Sequence, residues 1–216
     1  IDSKPRKSGV NGYSVNLNFS RFLNDLDKMK YGLEMNGFKT EFEIYNTLDR
    51  RISEIQNTSE INAFFNYTKN FRKKLVLESG LRMQYYATLS ESRLEPRIRL
   101  KYNITNRLRF KASTGLYSQN LVSAVSDRDV VNLFYGFLSG PSDLPKTFLG
   151  NPVESRLQKS RHAVAGFEID LNSNSEINIE GYIKQFSQLT NVNRDKIFED
   201  NSQNVDRPRY LVEDYI

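Results

Sequence analysis

A period-two alternation of apolar and polar residues recurs along most of this 216-residue chain, and it constrains the fold more than any other feature. It is cleanest over residues 92–103, where Leu94, Pro96, Ile98, Leu100 and Tyr102 alternate with Arg93, Glu95, Arg97, Arg99, Lys101 and Asn103. Successive side chains of a strand point to opposite faces, so such a segment is a strand with one apolar and one charged face. The same beat runs through Tyr13, Val15, Leu17 and Phe19, through Ile61, Ala63, Phe65 and Tyr67, and through Leu75, Leu77, Leu81, Met83 and Tyr85. It returns in Leu108, Phe110, Ala112 and Leu116, in Ala163, Ala165, Phe167 and Ile169, and in Ile177, Ile179 and Ile183. In KYGLEMNGFKTEF it holds through Tyr31, Leu33 and Met35 and changes phase near Gly37, which predicts a β-bulge there. With the final RYLVEDYI, about nine strands of about 9 to 15 residues are expected.

Alternation alone does not say which face meets water, because a soluble β-sandwich shows the same contrast. The connections discriminate. Short turns are expected at residues 23–28, 69–74, 103–107 and 172–176, and longer segments at 45–58, 120–157 and 188–208, with a brief link near 87–91. Short turns at one end and long loops at the other are the plan of an antiparallel up-and-down transmembrane barrel, with periplasmic turns and extracellular loops. Phe19, Tyr31, Tyr67, Tyr102 and Phe110 stand on the apolar faces beside the short turns, where an aromatic girdle would meet the headgroups.

Composition sets the remaining bounds. No apolar run approaches the roughly 18 residues of a spanning helix, a test that is silent about barrels. IDSKPRKSGVNG shows no apolar signal-peptide core. There is no cysteine and a single histidine, His162, so neither a disulfide nor a multi-histidine metal site is expected, and no cofactor. The net charge of +5 comes from 31 basic residues scattered among 26 acidic ones, which argues against a nucleic-acid partner. No phosphate loop, dinucleotide fingerprint or Gly-x-Ser-x-Gly elbow occurs, so no catalytic residue is assigned and the chain is read as a non-enzyme.

Residues 94–120 and 159–191 together resemble the late barrel strands of TonB-dependent outer-membrane receptors. The resemblance rests on Glu95-Pro96-Arg97 as a hairpin entry and on Gly115-x-Tyr117-x-Gln119 as a strand exit. It rests also on the pair Gly166-Phe167-Glu168 and Glu180-Gly181-Tyr182 leading to an Asn-rich loop, and it covers most of residues 11–191. It implies that residues 1–216 form one partial barrel domain in the bacterial outer membrane, in contact with lipid. A plug domain of the same receptor and the TonB energy-coupling complex would be partners, and an iron chelate, cobalamin or glycan the imported ligand. The rival readings are a small autonomous barrel acting as enzyme or adhesin, and a soluble β-sandwich binding module.

Two groups of residues are candidates for function. Glu78, Arg82, Glu95, Arg97, Arg99, Lys101, Arg109 and Lys111 form a charged row that either lines a permeation path or pairs internally as a lumen wall; the second is the more economical reading. The long loop offers Asp127, Arg128, Asp129, Phe134, Tyr135 and Phe137 for ligand recognition. Ser126 with Asp129 resembles a capping box, and the apolar spacing that follows predicts a short amphipathic helix ended by Gly140 and Pro141.

Overall fold

The computed structural model describes residues 6–45, 51–124, 136–139, 147–148, 151–153, 155–193 and 209–213. The strands are β1 (Lys7–Phe22), β2 (Lys28–Tyr45), β3 (Arg51–Phe71), β4 (Leu75–Tyr86), β5 (Glu91–Asn103) and β6 (Leu108–Gln119). Four short strands follow, β7 (Leu121–Ala124), β8 (Gly136–Ser139), β9 (Thr147–Phe148) and β10 (Asn151–Pro152), and then β11 (Gln158–Asn172), β12 (Ser175–Asn193) and β13 (Arg209–Glu213). Nine of them form one sheet in the order β1-β2-β3-β4-β5-β6-β11-β12-β13, antiparallel throughout, which is the half-barrel that the alternation and the connections imply.

Register fixes the faces. Leu17 pairs with Leu33 and Leu33 with Ala63, which pairs with Met83, then Leu94, so one apolar face continues across five strands. Phe110 opposite Phe167, opposite Ile179, carries it across three more. This face is exposed: Tyr13, Val15, Leu17, Phe19, Leu33, Leu81, Met83, Leu94, Ile98, Ile179 and Ile183 all lie open, while Asn62, Gln84, Glu95 and Glu168 on the opposite face are buried. A soluble sheet has the reverse arrangement. A continuous exposed apolar belt is favourable only against hydrocarbon, where the sheet's backbone groups are satisfied by their neighbours. The belt is edged at the short-turn end by Phe19 stacked on Tyr31, with ring centroids 5.5 Å apart, and by Phe110 against Phe167 at 5.3 Å.

Several expectations are corrected. There is no bulge at Gly37, since pairing with β1 and with β3 runs in unbroken register through Tyr13–Gly37–Ser59. What changes is the polarity of the two faces. Beyond Gly37 the face that was polar carries Phe38, Thr40, Phe42 and Ile44, and the face that was apolar carries Lys39, Glu41 and Glu43. Phe42, Ile44 and Ile52 are buried there. Hence the supposed loop at 45–58 is strand for most of its length, and β3 reaches 21 residues. Both of its faces are largely polar, Arg51, Ser53 and Asn57 outward and Glu54, Gln56 and Thr58 inward, so the apolar beat that marks the belt is absent there although the ladder continues. The helix expected over 126–140 is contradicted at its end, where Gly136–Ser139 is a strand paired with Leu121–Ala124. Gly and Ser are poor helix formers, and pairing with β7 satisfies their backbone. The rest of that segment, with Asp127, Arg128, Asp129, Phe134 and Tyr135, lies outside the described residues. Finally, Glu95-Pro96-Arg97 is mid-strand and not a hairpin entry.

Candidate functional site

The position of Pro96 organises the inner face. Proline has no N–H to give a ladder, and β5 pairs with β6 only from Arg97–Gly115 toward the short turn. Above that point the strands part, and side chains replace the ladder. Glu95 accepts from the backbone N–H of Ser118 at 2.6 Å and from its hydroxyl at 2.7 Å. The Tyr86 hydroxyl shares a hydrogen bond with Ser118 Oγ at 3.2 Å. Arg97 donates to Glu95 at 2.7 Å and lays its guanidinium 4.6 Å from the centre of the Tyr117 ring. Tyr117 in turn stacks on His162 at 4.4 Å. Glu95 is nearly inaccessible and fully partnered, which is what a buried carboxylate requires.

Beside this parting lies a hollow of about 610 Å³ toward the loop end, lined by Asn36, Phe38, Glu60, Arg82, Gln84 and Asn120 among others. Gln84 donates to Glu60 at 3.1 Å, and Arg82 lies 3.6 Å from Glu34. Asn120 is only 2% exposed, yet among the described residues neither its Nδ2 nor its Oδ1 has a hydrogen-bond partner, and Gln84 Oε1 is likewise unpartnered. Buried amides without partners are costly, which makes these atoms candidates for contact with water, another polar surface or a ligand. Asn62, fully buried and paired in register between Glu34 and Gln84, also lacks partners for both amide atoms.

The charged row of the sequence falls on this inner face and largely pairs within it. Arg99 reaches Glu78 at 3.4 Å. Arg109 is the hub of the lower wall: it donates to Glu168, binds Asp170 through two guanidinium nitrogens, one of them at 2.7 Å, and lies 3.7 Å from Glu176. Lys111 contacts Glu168 as well. Such forked Arg–carboxylate contacts hold β6 against β11 across the sheet. Glu78, Arg99, Lys101 and Lys111 border a second hollow of about 310 Å³ with Val76 and Val164 as apolar floor. Of the candidate row, only Arg82 lines the larger hollow, and Phe137 of the loop lies in β8.

Sequence reasoning overlooked Glu60, Gln84 and Asn120. Glu60 and Gln84 were legible as inner-face positions by parity; Asn120 sits just past the strand end, where alternation stops informing. Ser160 and His162 are hydrogen-bonded at 2.9 Å. Among the described residues no carboxylate completes a triad with them, and no cluster of metal-ligating side chains occurs.

Comparison with known proteins agrees with this architecture. No family model matches the sequence, and no curated protein matches it. Among solved structures the chain is similar to the siderophore receptor PirA from Pseudomonas aeruginosa, at 10% identity and a TM-score of 0.58, over 97% of this chain and 38% of that one. It is similar to a mutant of the ferric enterobactin receptor PfeA from the same organism, at 11% identity and a TM-score of 0.59, over 96% and 31%. The copper transporter OprC follows at 13% identity and 0.51, over 96% and 33%. The fold of this chain is therefore the one that these structures have over the matched segment, in keeping with the antiparallel barrel wall described above. The chain spans about a third of the length of these structures.

Proposed function

We propose that this chain is part of the wall of an outer-membrane receptor that takes up a scarce ligand using energy relayed by the TonB complex, with a plug domain of the same receptor lying against its inner face. Import and not catalysis is the role. The observation that carries the reading is the buried, unpartnered amide of Asn120 on the polar hollow at the loop end. A wall built only for stability would satisfy that amide internally. Donors and acceptors with Phe38 beside them suit a polar ligand rich in hydroxyl or carbonyl groups, a description that iron chelates, cobalamin and glycans all meet. Asp127, Arg128, Asp129, Phe134, Tyr135 and Phe137 are assigned to first capture of that ligand, and the row from Glu78 to Lys111 to lining the passage.

Growth tests this reading. A strain lacking the full-length protein is supplied with ferric siderophores, cobalamin or glycans as the limiting nutrient, and one of these conditions is expected to show a defect. Complementation with Asn120→Leu should fail to restore growth while the barrel still shows folded mobility on an unheated gel. Deletion of residues 126–140 should weaken ligand binding without blocking insertion. Full growth of the deletion strain on every nutrient sinks the proposal.

A further inference from the structure

The charges of the inner wall are mostly ion-paired, and one group of cations at the short-turn end stands apart from that pairing. Arg72, Lys73, Lys74 and Lys101 surround a hollow of about 720 Å³, completed by Asn103 and Arg109, and no carboxylate lines it. Among the described residues none of these four cations makes an ion pair; Lys74 instead lies 5.7 Å from the centre of the Tyr102 ring. The carboxylates nearest in function, Glu168, Asp170 and Glu176, are gathered on Arg109 and Lys111.

The backbone is shaped to hold this cluster. Arg72 and Lys73 both adopt left-handed φ, 52° and 59°, a conformation unfavourable to ordinary side chains. Lys73 N–H is tied to Asn70 Oδ1 at 2.8 Å, and Lys74 N–H to the Phe71 carbonyl at 3.0 Å. Asn103 then fastens the turn to the next strand, donating from Nδ2 to the Lys73 carbonyl at 2.6 Å and from its backbone N–H to the Lys74 carbonyl at 2.8 Å. Among the described residues the second amide atom of Asn103, Oδ1, has no hydrogen-bond partner. Four like charges around one hollow make it attractive to an anion, and the spare acceptor suits a hydroxyl on that anion. The hollow opens at the rim of the short-turn end, and Lys74 of its lining reaches the outer, aromatic edge of the belt at Tyr102.

We propose that this hollow binds a phosphate group, carried by an anionic phospholipid headgroup or present as free phosphate. A protonated phosphate oxygen, or a headgroup hydroxyl, donates to Asn103 Oδ1 while the remaining oxygens accept from the lysines and Arg72. The test uses the full-length protein in dodecyl maltoside, titrated with phosphatidylglycerol, with phosphatidylcholine and with inorganic phosphate, and followed by phosphorus NMR linewidth. Phosphatidylglycerol is expected to broaden and phosphatidylcholine is not. Neutralising each lysine should weaken binding about fivefold, so that Lys73→Gln with Lys101→Gln weakens it by more than roughly tenfold. Loss of the lipid response alone supports the headgroup as source; loss of both the lipid and the inorganic phosphate responses supports free phosphate as sufficient. Absence of both responses in the wild type, or both responses unchanged in the double variant, overturns the proposal. Mobility of the unheated protein on a gel reports folding, and Lys73→Gln alone, confined to the turn, provides the same readout if the double variant does not fold.

Discussion

The lower and upper parts of β1, β2 and β3 are continuous in backbone and opposite in chemistry. Below Gly37 the outer face carries Val15, Leu17, Leu33 and Ile61, and the inner face carries Asn16, Glu34 and Asn62. Above it the outer face carries ion pairs, Lys7 with Glu41 at 2.7 Å, Lys39 with Glu41 at 2.8 Å and Arg51 with Glu43 at 3.1 Å, with Ile55 as an exposed apolar exception. There the inner face buries Phe42, Ile44 and Ile52. The same strands thus obey the rule for lipid and then the rule for water, and the border between them is the level of Gly37. Tyr13 marks that border: its ring lies over Gly37, where any Cβ would meet ring atoms at 2.5 Å. The upper region is a small soluble-type core stacked on a transmembrane wall, with β8 of the long loop packed against β1, β2 and β3.

The difference is broken most directly by removing apolar volume on each side of the border. Phe42 is 2% exposed and lies in the upper core, so Phe42→Ala leaves a cavity and is expected to cost about 3–5 kcal/mol. Leu17→Ala removes a lipid-facing side chain whose place acyl chains can fill, so its cost should be well below that of Phe42→Ala. Reversible urea unfolding in lipid vesicles measures both. Similar losses at the two positions would mean that the upper strands are not a water-excluding core of their own.

Charge insertion sharpens the same contrast from the other side. Leu17→Arg places a guanidinium in the belt and is expected to cost about 2–4 kcal/mol if the site lies near mid-membrane, whereas Asn16→Arg, one residue away and facing inward, should cost far less. Equal losses would remove the basis for assigning lipid to the outer face. Above the border, Ser53→Arg on the outer face should be nearly neutral, because that surface already carries exposed ion pairs of small individual value.

The contrast also explains what could be read from the sequence. Strand identity, the faces within the belt and the short turns were legible because one solvent, hydrocarbon, imposed a single rule on Leu17, Leu33, Leu94 and Phe167. That rule ends at Gly37, and a reader who keeps it sees in Phe38–Ile44 a register fault, whereas the ladder shows an unbroken register and a changed solvent. The inner site was half legible. Parity places Arg82, Glu95 and Arg97 on the inner wall, but the parting of β5 and β6 depends on which neighbour Pro96 fails to reach, a fact of pairing and not of pattern. Asn120 falls after the last alternating residue, so its burial has no signature in one sequence.

The smallest expected effect lies at the opposite end from the border, in the turn between β1 and β2, where protein meets water again. Asp27 is buried in that turn and accepts from the Asn70 backbone N–H at 3.0 Å, from Lys69 Nζ at 2.6 Å and from Asn24 Nδ2 at 3.1 Å. The Asn70 N–H bond first, and then Lys69, hold its carboxyl down at about 2 from an ordinary 3.8. A carboxylate whose folded pKa is depressed stabilises the fold fully above its unfolded value and loses that contribution as pH falls through the folded value. The fastening of the β1–β2 turn to the end of β3 should therefore be constant from neutral pH down to about 4 and weaken between about 4 and 2. The amide nitrogen shift of Asn70, followed through an acid titration, is expected to move with a midpoint near 2 and to be flat in Asp27→Asn, since an amide cannot titrate. A midpoint at the ordinary carboxyl value would show the turn detached from β3, and the short-turn end would then be a loose rim and not the fixed edge from which the belt rises.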